Sequence, residues 1–128
     1  MPELPEVETT RKGIAPHIEQ QIIQRVVVRN PKLRWPVPDN IIDYHGAKID
    51  QVERRAKYLI VNTSKGQLIM HLGMSGSLRI CSEEEPAGIH DHFDVVLNNG
   101  RALRYRDPRR FGALLTTCLL YTSDAADD

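Results

Sequence analysis

The chain has 128 residues, of which 41% are hydrophobic and 27% are charged. This length and composition allow one domain with a buried core and exclude a chain that is disordered by composition. The apolar runs are only a few residues long, far below the roughly 20 that cross a bilayer, so we expect no transmembrane helix. Residues 1–8 are acidic without an apolar stretch, and the two cysteines, Cys81 and Cys118, form no disulfide framework. We therefore expect no secretory signal peptide and a reducing, cytoplasmic setting.

The net charge is zero, with 17 basic and 17 acidic residues, but the basic residues are clustered. Three segments hold them at high density: Arg25–Arg34, Arg54–Lys57 and Arg101–Arg110. Such clustering predicts a polyanionic partner, while solvated charge on strand faces is the alternative that charge alone leaves open.

The first predicted element is a helix over residues 3–20. Apolar residues recur at helical spacing from Leu4 to Ile18, and acidic residues precede basic ones, as the helix dipole favours. Pro16 is expected to bend or end this helix.

A strand and a short second helix are predicted next. From Ile22 the apolar period changes toward two, which predicts a strand that continues to Trp35. A proline-rich turn follows. Residues 39–45 are predicted to form a short helix, with Asp39 as its N-cap and Gly46 as its terminator.

The remainder of the chain is predicted to form short strands joined by turns. Asn99–Gly100 is a strong hairpin signal, Ser64–Gly66 is a second turn, and Glu83–Pro86 is predicted to be an exposed loop. The predicted strands are Lys48–Arg54, Lys57–Asn62, Gln67–Leu72, Ser77–Ile80, Asp91–Leu97, Arg101–Arg106 and Gly112–Thr117. Short strands at this spacing predict a β-sandwich or a barrel.

Residues 118–128 do not continue this pattern. One codon choice for Leu119–Ser123 resembles the end sequence of a transposon adapter used in sequencing libraries. We therefore expect the domain to span residues 1–117 and residues 118–128 to be a non-native tail. A natural C-terminus is the alternative.

The first residues of the chain are suited to covalent chemistry. Removal of Met1 would leave a secondary α-amine on Pro2, and an α-amino pKa of about 8 leaves a useful neutral fraction near pH 7. Condensation of this amine with a sugar aldehyde carbon gives a cationic iminium, which acidifies the neighbouring carbon and permits β-elimination. Glu3 stands beside the amine as a candidate acid or base. The alternative is that Pro2 and Pro5 only start the helix.

A His-x-His pair in the sequence has the spacing of two metal ligands. His90 and His92 would present both rings on one face of a strand, and His71 would complete a three-ligand zinc site. The sequence offers neither outer-shell partners nor a fixed ligand spacing, so we expect no metal in this chain.

Six segments of the sequence form a specific set. They are PELPEVET at 2–9, NPKLRWP at 30–36, RRAKYL at 54–59, HLGMSGSLR at 71–79, HDHFD at 90–94 and LRYRDPRRFGA at 103–113. Together they resemble the N-terminal domain of the bacterial formamidopyrimidine-DNA glycosylases, from residue 2 to about residue 117. The resemblance implies an α+β fold, a two-sheet antiparallel β-sandwich flanked by an N-terminal helix and a short second helix.

The resemblance implies catalytic roles at the N-terminus. Pro2 resembles the Schiff-base nucleophile, and Glu3 resembles the acid that protonates the deoxyribose ring oxygen as the ring opens. Glu6 is expected to support that pocket. Lys57 resembles the lysine assigned to β-elimination and phosphate contact.

Six other residues are expected to contact DNA. His71 and Arg34 resemble phosphate-side contacts, and His90 resembles a further DNA contact. Three residues resemble the trio that fills the gap left by an everted base, since an apolar wedge restores stacking and an arginine can bond the widowed base. These are Met74, Arg109 and Phe111, for which loop anchors packed on the sandwich are the alternative.

The function implied by the resemblance is base-excision repair. A bifunctional glycosylase and abasic-site lyase would remove oxidised purines, such as 8-oxoguanine and formamidopyrimidines, through the proline Schiff base. The implied partner is damaged double-stranded DNA, without a membrane, and the implied state is a monomer in the bacterial cytoplasm at the nucleoid. The family's C-terminal half, with a helix–two-turn–helix element and a four-cysteine zinc finger, has no counterpart in this sequence. One structural zinc is expected in that half, and no cofactor in this chain.

Two alternatives stay open. The chain alone is expected to be inactive, which leaves a non-catalytic DNA-binding fragment as one alternative. The other is a glycosylase for oxidised pyrimidines that resembles endonuclease VIII, which shares the proline chemistry. The Leu4–Val7 continuation and the set of Met74, Arg109 and Phe111 favour the purine enzyme.

Overall fold

The computed structural model describes residues 4–118. Pro2, Glu3 and residues 119–128 of the predicted non-native tail lie outside the described residues, whereas Cys118, the first residue of that predicted tail, belongs to the last strand. The helical elements are helix α1, Leu4–Ile18, and a 3₁₀ helix, Asp39–Tyr44. The strands are β1 Ile23–Val28, β2 Ile49–Arg55, β3 Tyr58–Thr63, β4 Gly66–His71, β5 Ser77–Ser82, β6 Asp91–Leu97, β7 Arg101–Arg106 and β8 Ala113–Cys118. Within residues 4–118, no helix has the length and apolarity that crossing a membrane requires.

The strands form two antiparallel sheets of four strands each. One sheet has the order β1-β6-β7-β5, and the other has the order β2-β3-β4-β8. Helix α1 lies against β2 and β3 of one sheet and β5 of the other, while the 3₁₀ helix contacts β1. The predicted α+β fold, a two-sheet sandwich with an N-terminal helix and a short second helix, is confirmed.

The core lies between the sheets and under α1. Strand β4 shows the alternation that a half-buried strand requires, since Leu68 and Met70 are fully buried while their neighbours are half-exposed. Phe93 of β6 and Tyr105 of β7 stack with their ring centroids 4.9 Å apart. Each such large side chain contributes about 1.5–3 kcal/mol by leaving water, so the interior of the sandwich fixes the strand positions.

The predicted strand from Ile22 to Trp35 is too long. Strand β1 ends at Val28, because the N–H groups of Arg29 and Asn30 both bond to the same carbonyl, His92 O, at 2.7 and 3.2 Å. Pro31 then has no N–H with which to continue the ladder. The chain instead turns, and the N–H of Val37 bonds to Pro31 O at 3.0 Å.

Of the capping and turn predictions, the N-cap of the short helix is wrong and the two hairpin turns are confirmed. Asp39 is the first residue of the 3₁₀ helix and not its N-cap, a position that Pro38 occupies without a side-chain hydrogen bond. The 3₁₀ helix ends at Tyr44, one residue earlier than predicted, with His45 as its C-cap. Gly46 follows with φ +83°, a left-handed conformation that favours glycine. The predicted hairpin turns at residues 64–66 and 99–100 are confirmed by the pairing of β3 with β4 and of β6 with β7.

Candidate nucleic-acid interface

Two loops cross between the sheets side by side. Residues 72–76 lead from β4 to β5, and residues 107–112 lead from β7 to β8. Because β5 pairs with β7 in one sheet and β4 pairs with β8 in the other, both loops begin and end next to each other. A Cβ on Gly73 would lie 2.7 Å from the carbonyl carbon of Phe111, so the loops approach as closely as glycine allows.

The carboxylate of Asp107 joins the two loops. Asp107 is fully buried, and Ser75 Oγ donates to its Oδ1 at 2.7 Å. The hydroxyl of Tyr105 and the N–H of Gly112 donate to its Oδ2 at 2.6 and 2.9 Å. Burial alone would raise the pKa of Asp107, but these hydrogen bonds outweigh burial and hold the pKa below its usual range. The sequence-based search for site residues missed Asp107, although an aspartate before a proline is a recognisable turn signal.

The two loops present exposed apolar side chains. Met74 is 51% exposed and Phe111 is 43% exposed, while Arg109 and Arg110 beside Phe111 are also exposed. Arg110 has φ +58°, which a side-chain-bearing residue rarely adopts. The structure thus brings Met74, Arg109 and Phe111 from distant positions in the chain onto adjoining loops.

A small basic cavity adjoins the 107–112 loop. It measures about 160 Å³ and is lined by Arg34, Trp35, Tyr58 and His71. The rings of Tyr58 and His71, which face each other across β3 and β4, have centroids 5.1 Å apart. Burial lowers the pKa of His71, and the positive charges of Arg34 and Lys57 lower it further. His71 is therefore a neutral imidazole at neutral pH.

The tautomer of His71 follows from its hydrogen bond. The N–H of Gly73 donates to Nδ1 of His71 at 3.0 Å, so Nδ1 carries no proton. The proton of the neutral ring is then on Nε2, which is free to act as a hydrogen-bond donor.

A larger groove continues from this cavity toward the 107–112 loop. It measures about 600 Å³ and is lined by Lys32, Leu33, Arg34, Trp35, Arg109, Arg110 and Phe111, none of them acidic. The N–H of Arg34 donates to Gly112 O at 3.0 Å and so fixes the 30–36 segment against the 107–112 loop. The guanidinium of Arg34 lies 5.0 Å from the Trp35 ring centroid. Trp35, half-exposed in this groove, is a second residue that the sequence-based search missed, although it stands inside a basic motif.

The arginines of the three basic segments fall into two groups. Several have carboxylate partners: Arg25 with Glu83, Arg29 and Arg104 with Asp94, and Arg54 with Glu8. Arg104 is fully buried, so the prediction of a partner-facing charge is wrong for this residue. In contrast, Arg34, Arg109 and Arg110 have no carboxylate partner within the part of the chain that the structure describes. These three arginines line the groove, whereas Arg55, Arg101 and Arg106, which likewise form no ion pair among residues 4–118, lie outside its lining.

The first turns of α1 are tied to the hairpin that carries Lys57. Glu8 Oε1 accepts from Arg54 Nε at 3.2 Å, and Arg54 Nη1 donates to Ala56 O at 3.0 Å. Hydrogen bonds from Arg11, and then Arg54, lower the pKa of Glu8 to about 2. Glu6 is exposed in the first turn of α1. Pro2 and Glu3 precede this turn but are outside the described residues, so the N-terminal site itself is not observed.

The histidines for which a metal site was considered and not expected have the following surroundings. His92 is buried, and its Nε2 donates to Asp107 O at 2.6 Å. His90 is half-buried in the loop before β6, and its carbonyl accepts from the N–H of Asp107 at 3.0 Å. Among residues 4–118, no group of three His, Cys, Asp or Glu residues could hold a metal ion. The described residues therefore offer no donor set for the zinc that the resemblance implies.

A groove that is lined by basic and exposed aromatic side chains and by no acid is typical of a nucleic-acid-binding domain. A family model described as the formamidopyrimidine-DNA glycosylase N-terminal domain matches residues 1–114, and the chain belongs to this family.

Relatives and solved structures agree with this assignment. The formamidopyrimidine-DNA glycosylase of Marinobacter nauticus is 59% identical over 125 residues, which are 97% of this chain and 44% of that protein. The one of Pseudomonas fluorescens is 60% identical over 116 residues, which are 90% of this chain and 43% of that protein. The chain thus spans less than half the length of these curated relatives.

Solved structures of the Lactococcus lactis enzyme are similar to this chain. Its structure bound non-covalently to DNA containing an abasic site has a TM-score of 0.85 at 29% identity, covering 97% of this chain and 48% of that one. Its complex with DNA containing FAPY-dG has a TM-score of 0.84 at 29% identity, covering 97% of this chain and 47% of that one.

Proposed function

We propose that this chain is the N-terminal part of a base-excision repair enzyme that removes oxidised purines from double-stranded DNA and cuts the abasic strand. The observation that carries the proposal is the meeting of the loops bearing Met74, Arg109 and Phe111 beside an acid-free groove. Family membership and the DNA complexes of the Lactococcus lactis enzyme support the same substrate class.

The proposed chemistry starts at the N-terminal amine. Nα of Pro2 attacks C1′ of the damaged nucleotide, and the glycosidic bond breaks with its electron pair leaving on the base. Glu3 protonates O4′ as the sugar ring opens, which yields an iminium between Pro2 and C1′. This cation acidifies C2′, so loss of a C2′ proton expels the 3′ phosphate, and a second elimination expels the 5′ phosphate. Lys57 is the proposed base for the elimination.

The basic cavity is proposed to hold phosphate next to the reacting sugar. Arg34 and Lys57 supply positive charge, and Nε2–H of the neutral His71 supplies a directional donor. The larger groove would carry the DNA backbone, since the arginines that line it have no carboxylate partner among residues 4–118. Glu8 and Arg54 would keep the start of α1 close to the Lys57 hairpin.

Met74, Arg109 and Phe111 are proposed to occupy the space that the everted nucleotide leaves. An apolar side chain inserted into a base step recovers part of the stacking energy, and an arginine can bond the orphaned base. Their exposure supports this role over that of loop anchors, because an anchor would be buried against the sandwich. We also propose a monomer in the bacterial cytoplasm, with the family's structural zinc held by residues that this chain does not contain.

The test is a chimera in which residues 1–117 replace the matching segment of the Marinobacter nauticus relative, assayed beside the 128-residue chain. The chimera is expected to release 8-oxoguanine from duplex DNA and to cut the strand, and the chain alone to bind DNA without cutting it. Release of an oxidised pyrimidine in preference to 8-oxoguanine would favour the alternative related to endonuclease VIII. An inactive chimera that folds and binds DNA would leave only a DNA-binding role for this segment.

A further inference from the structure

The carboxylate of Asp107 differs from that of buried Asp94 in accepting hydrogen bonds from hydroxyl and backbone N–H groups and not from a guanidinium. Each oxygen of its carboxylate accepts two hydrogen bonds: Oδ1 from Ser75 Oγ at 2.7 Å and from the Arg109 N–H at 3.2 Å, and Oδ2 from Tyr105 Oη at 2.6 Å and from the Gly112 N–H at 2.9 Å. Among residues 4–118, no arginine or lysine side chain forms an ion pair with it, in contrast to Asp94. The Asp107 carboxylate therefore binds uncharged donors, three from the two loops and one from Tyr105 of β7.

The backbone of Asp107 reaches a third loop. Its N–H donates to His90 O at 3.0 Å, and its carbonyl accepts from the Arg110 N–H at 3.2 Å and from His92 Nε2 at 2.6 Å. The hydrogen bond from the Arg110 N–H stabilises the backbone of Arg110 at φ +58°, a conformation that is unfavourable for any residue with a side chain. One residue thus connects the two loops that carry Met74, Arg109 and Phe111 with the loop that carries His90.

The arrangement requires a carboxylate and not merely a polar side chain. An asparagine has one carbonyl oxygen and one NH₂ group, and NH₂ cannot accept a hydrogen bond. Whichever way the amide points, two donors lose Asp107 as their acceptor. They are either the buried donors of Tyr105 and Gly112, or the part-buried donors of Ser75 and Arg109, of which the Arg109 N–H also bonds to Ser75 Oγ at 3.3 Å. Burial and the adjacent carboxylate both raise the pKa of Tyr105, so its hydroxyl remains a donor.

We propose that Asp107 is the positioning residue that assembles Met74, Arg109 and Phe111 into one wedge before DNA arrives. This inference rests on the proposed function and adds to it the residue that makes the wedge a preformed surface. A preformed wedge needs no ordering of its loops on binding, so the free energy of inserting it into a gap in the base stack is retained as affinity. The 128-residue chain should therefore prefer duplex DNA in which one base is missing.

The single tryptophan of the sequence allows this preference to be measured. Trp35 lies in the groove with Arg109 and Phe111, so its fluorescence is expected to change when DNA enters. The 128-residue chain is titrated with an intact duplex and with the same duplex carrying a tetrahydrofuran abasic analogue. The ratio of the two dissociation constants is expected to be at least about fivefold in favour of the abasic duplex, because no base then has to be unstacked.

Four variants separate a positioning role of Asp107 from an effect on overall stability. Ser75→Ala removes only the link between the loops. Both Ser75→Ala and Asp107→Asn are expected to reduce the ratio of the two dissociation constants to less than about twofold. Ser75→Thr keeps a hydroxyl and is expected to restore most of the preference. Asp94→Asn is the matched control, because it disturbs a buried carboxylate that bonds Arg29 and Arg104 and lies outside both loops. It is expected to lower the melting temperature and leave the ratio unchanged.

The outcomes are distinguishable. An unchanged ratio in Ser75→Ala and in folded Asp107→Asn, or an equal loss in Asp94→Asn, would overturn the positioning role. If Asp107→Asn does not fold, the comparison of Ser75→Ala with Ser75→Thr tests the positioning role. If the wild-type chain binds both duplexes equally, the preformed wedge is overturned but DNA binding is not. If the wild-type chain binds neither duplex, the proposed function is overturned as well.

Discussion

The guanidinium of Arg109 lies over the ring of Phe111, 5.1 Å from the ring centroid. The ring is held by this cation–π contact at an exposed position, where it is available to stack on a base. The pair thus combines an apolar surface with a cluster of hydrogen-bond donors, the two properties that replacement of an everted nucleotide requires.

Phe111→Ala in the chimera is expected to slow excision of 8-oxoguanine from duplex DNA by roughly 5- to 30-fold, which corresponds to losing about 1–2 kcal/mol of the stacking that the inserted ring recovers. Cleavage of a preformed abasic site should be affected much less, since no damaged base has to be everted there. Ile42→Ala, at an exposed apolar position on the 3₁₀ helix, is the control and should affect neither rate. Equal losses on both substrates would show that Phe111 supports the fold or the catalytic pocket.

The His71 ring makes the stability of the chain depend on pH in a defined direction. Its pKa is lowered in the folded state by burial and by Arg34 and Lys57, from about 6.5 in the unfolded chain. The unfolded state therefore binds more protons, so this contribution to stability is complete above about pH 6.5 and is lost as the pH falls through the folded-state pKa.

Urea denaturation of the chain at a series of pH values between 7.5 and 5 tests this direction. His71→Gln should flatten the pH dependence of the unfolding free energy relative to the wild type, and His45→Gln, at an exposed position, should not. Parallel profiles for wild type and His71→Gln would show that His71 is not the group responsible.

The proposed Schiff base is tested by covalent trapping. In the presence of borohydride, the chimera should be trapped on DNA containing an abasic site, because reduction converts the iminium to a stable amine. Pro2→Gly should weaken trapping strongly, retention of Met1 should block it, and Pro5→Ala should leave it intact. Undiminished trapping by protein that retains Met1 would assign the nucleophile to a lysine such as Lys57.

Salt dependence separates arginines that face DNA from those that face carboxylates. The 128-residue chain should bind duplex DNA with a log–log salt slope of a few units, and Arg34→Ala or Arg110→Ala should each reduce it by about one. Arg25→Ala is the matched control and should change the slope less, because the Arg25 guanidinium already pairs with Glu83 at 3.1 Å. Unchanged slopes for Arg34→Ala and Arg110→Ala would exclude phosphate contact at these residues.

Local sequence patterns were sufficient for most of the secondary structure. The predicted strands Asp91–Leu97 and Arg101–Arg106 have the observed bounds, because Asn99–Gly100 imposes a tight turn whose conformation depends on neighbouring residues alone. The strand predicted to reach Trp35 ends at Val28 because both following N–H groups bond to His92 O, an acceptor distant in the chain. Apolar alternation carries no information about such a partner.

Motifs likewise named most of the candidate site residues, but their surroundings depend on the fold. Arg104 and Arg110 stand in one basic segment and are equivalent in a count of charge, yet strand pairing buries Arg104 against Asp94 while Arg110 lines the groove. Asp107 meets Ser75, 32 positions earlier in the chain, only because β4, β5, β7 and β8 place their crossing loops side by side. Residue chemistry and turn signals are local and can be read along the chain. Which charges are neutralised and which loops meet is decided by long-range strand pairing and by the burial that accompanies it.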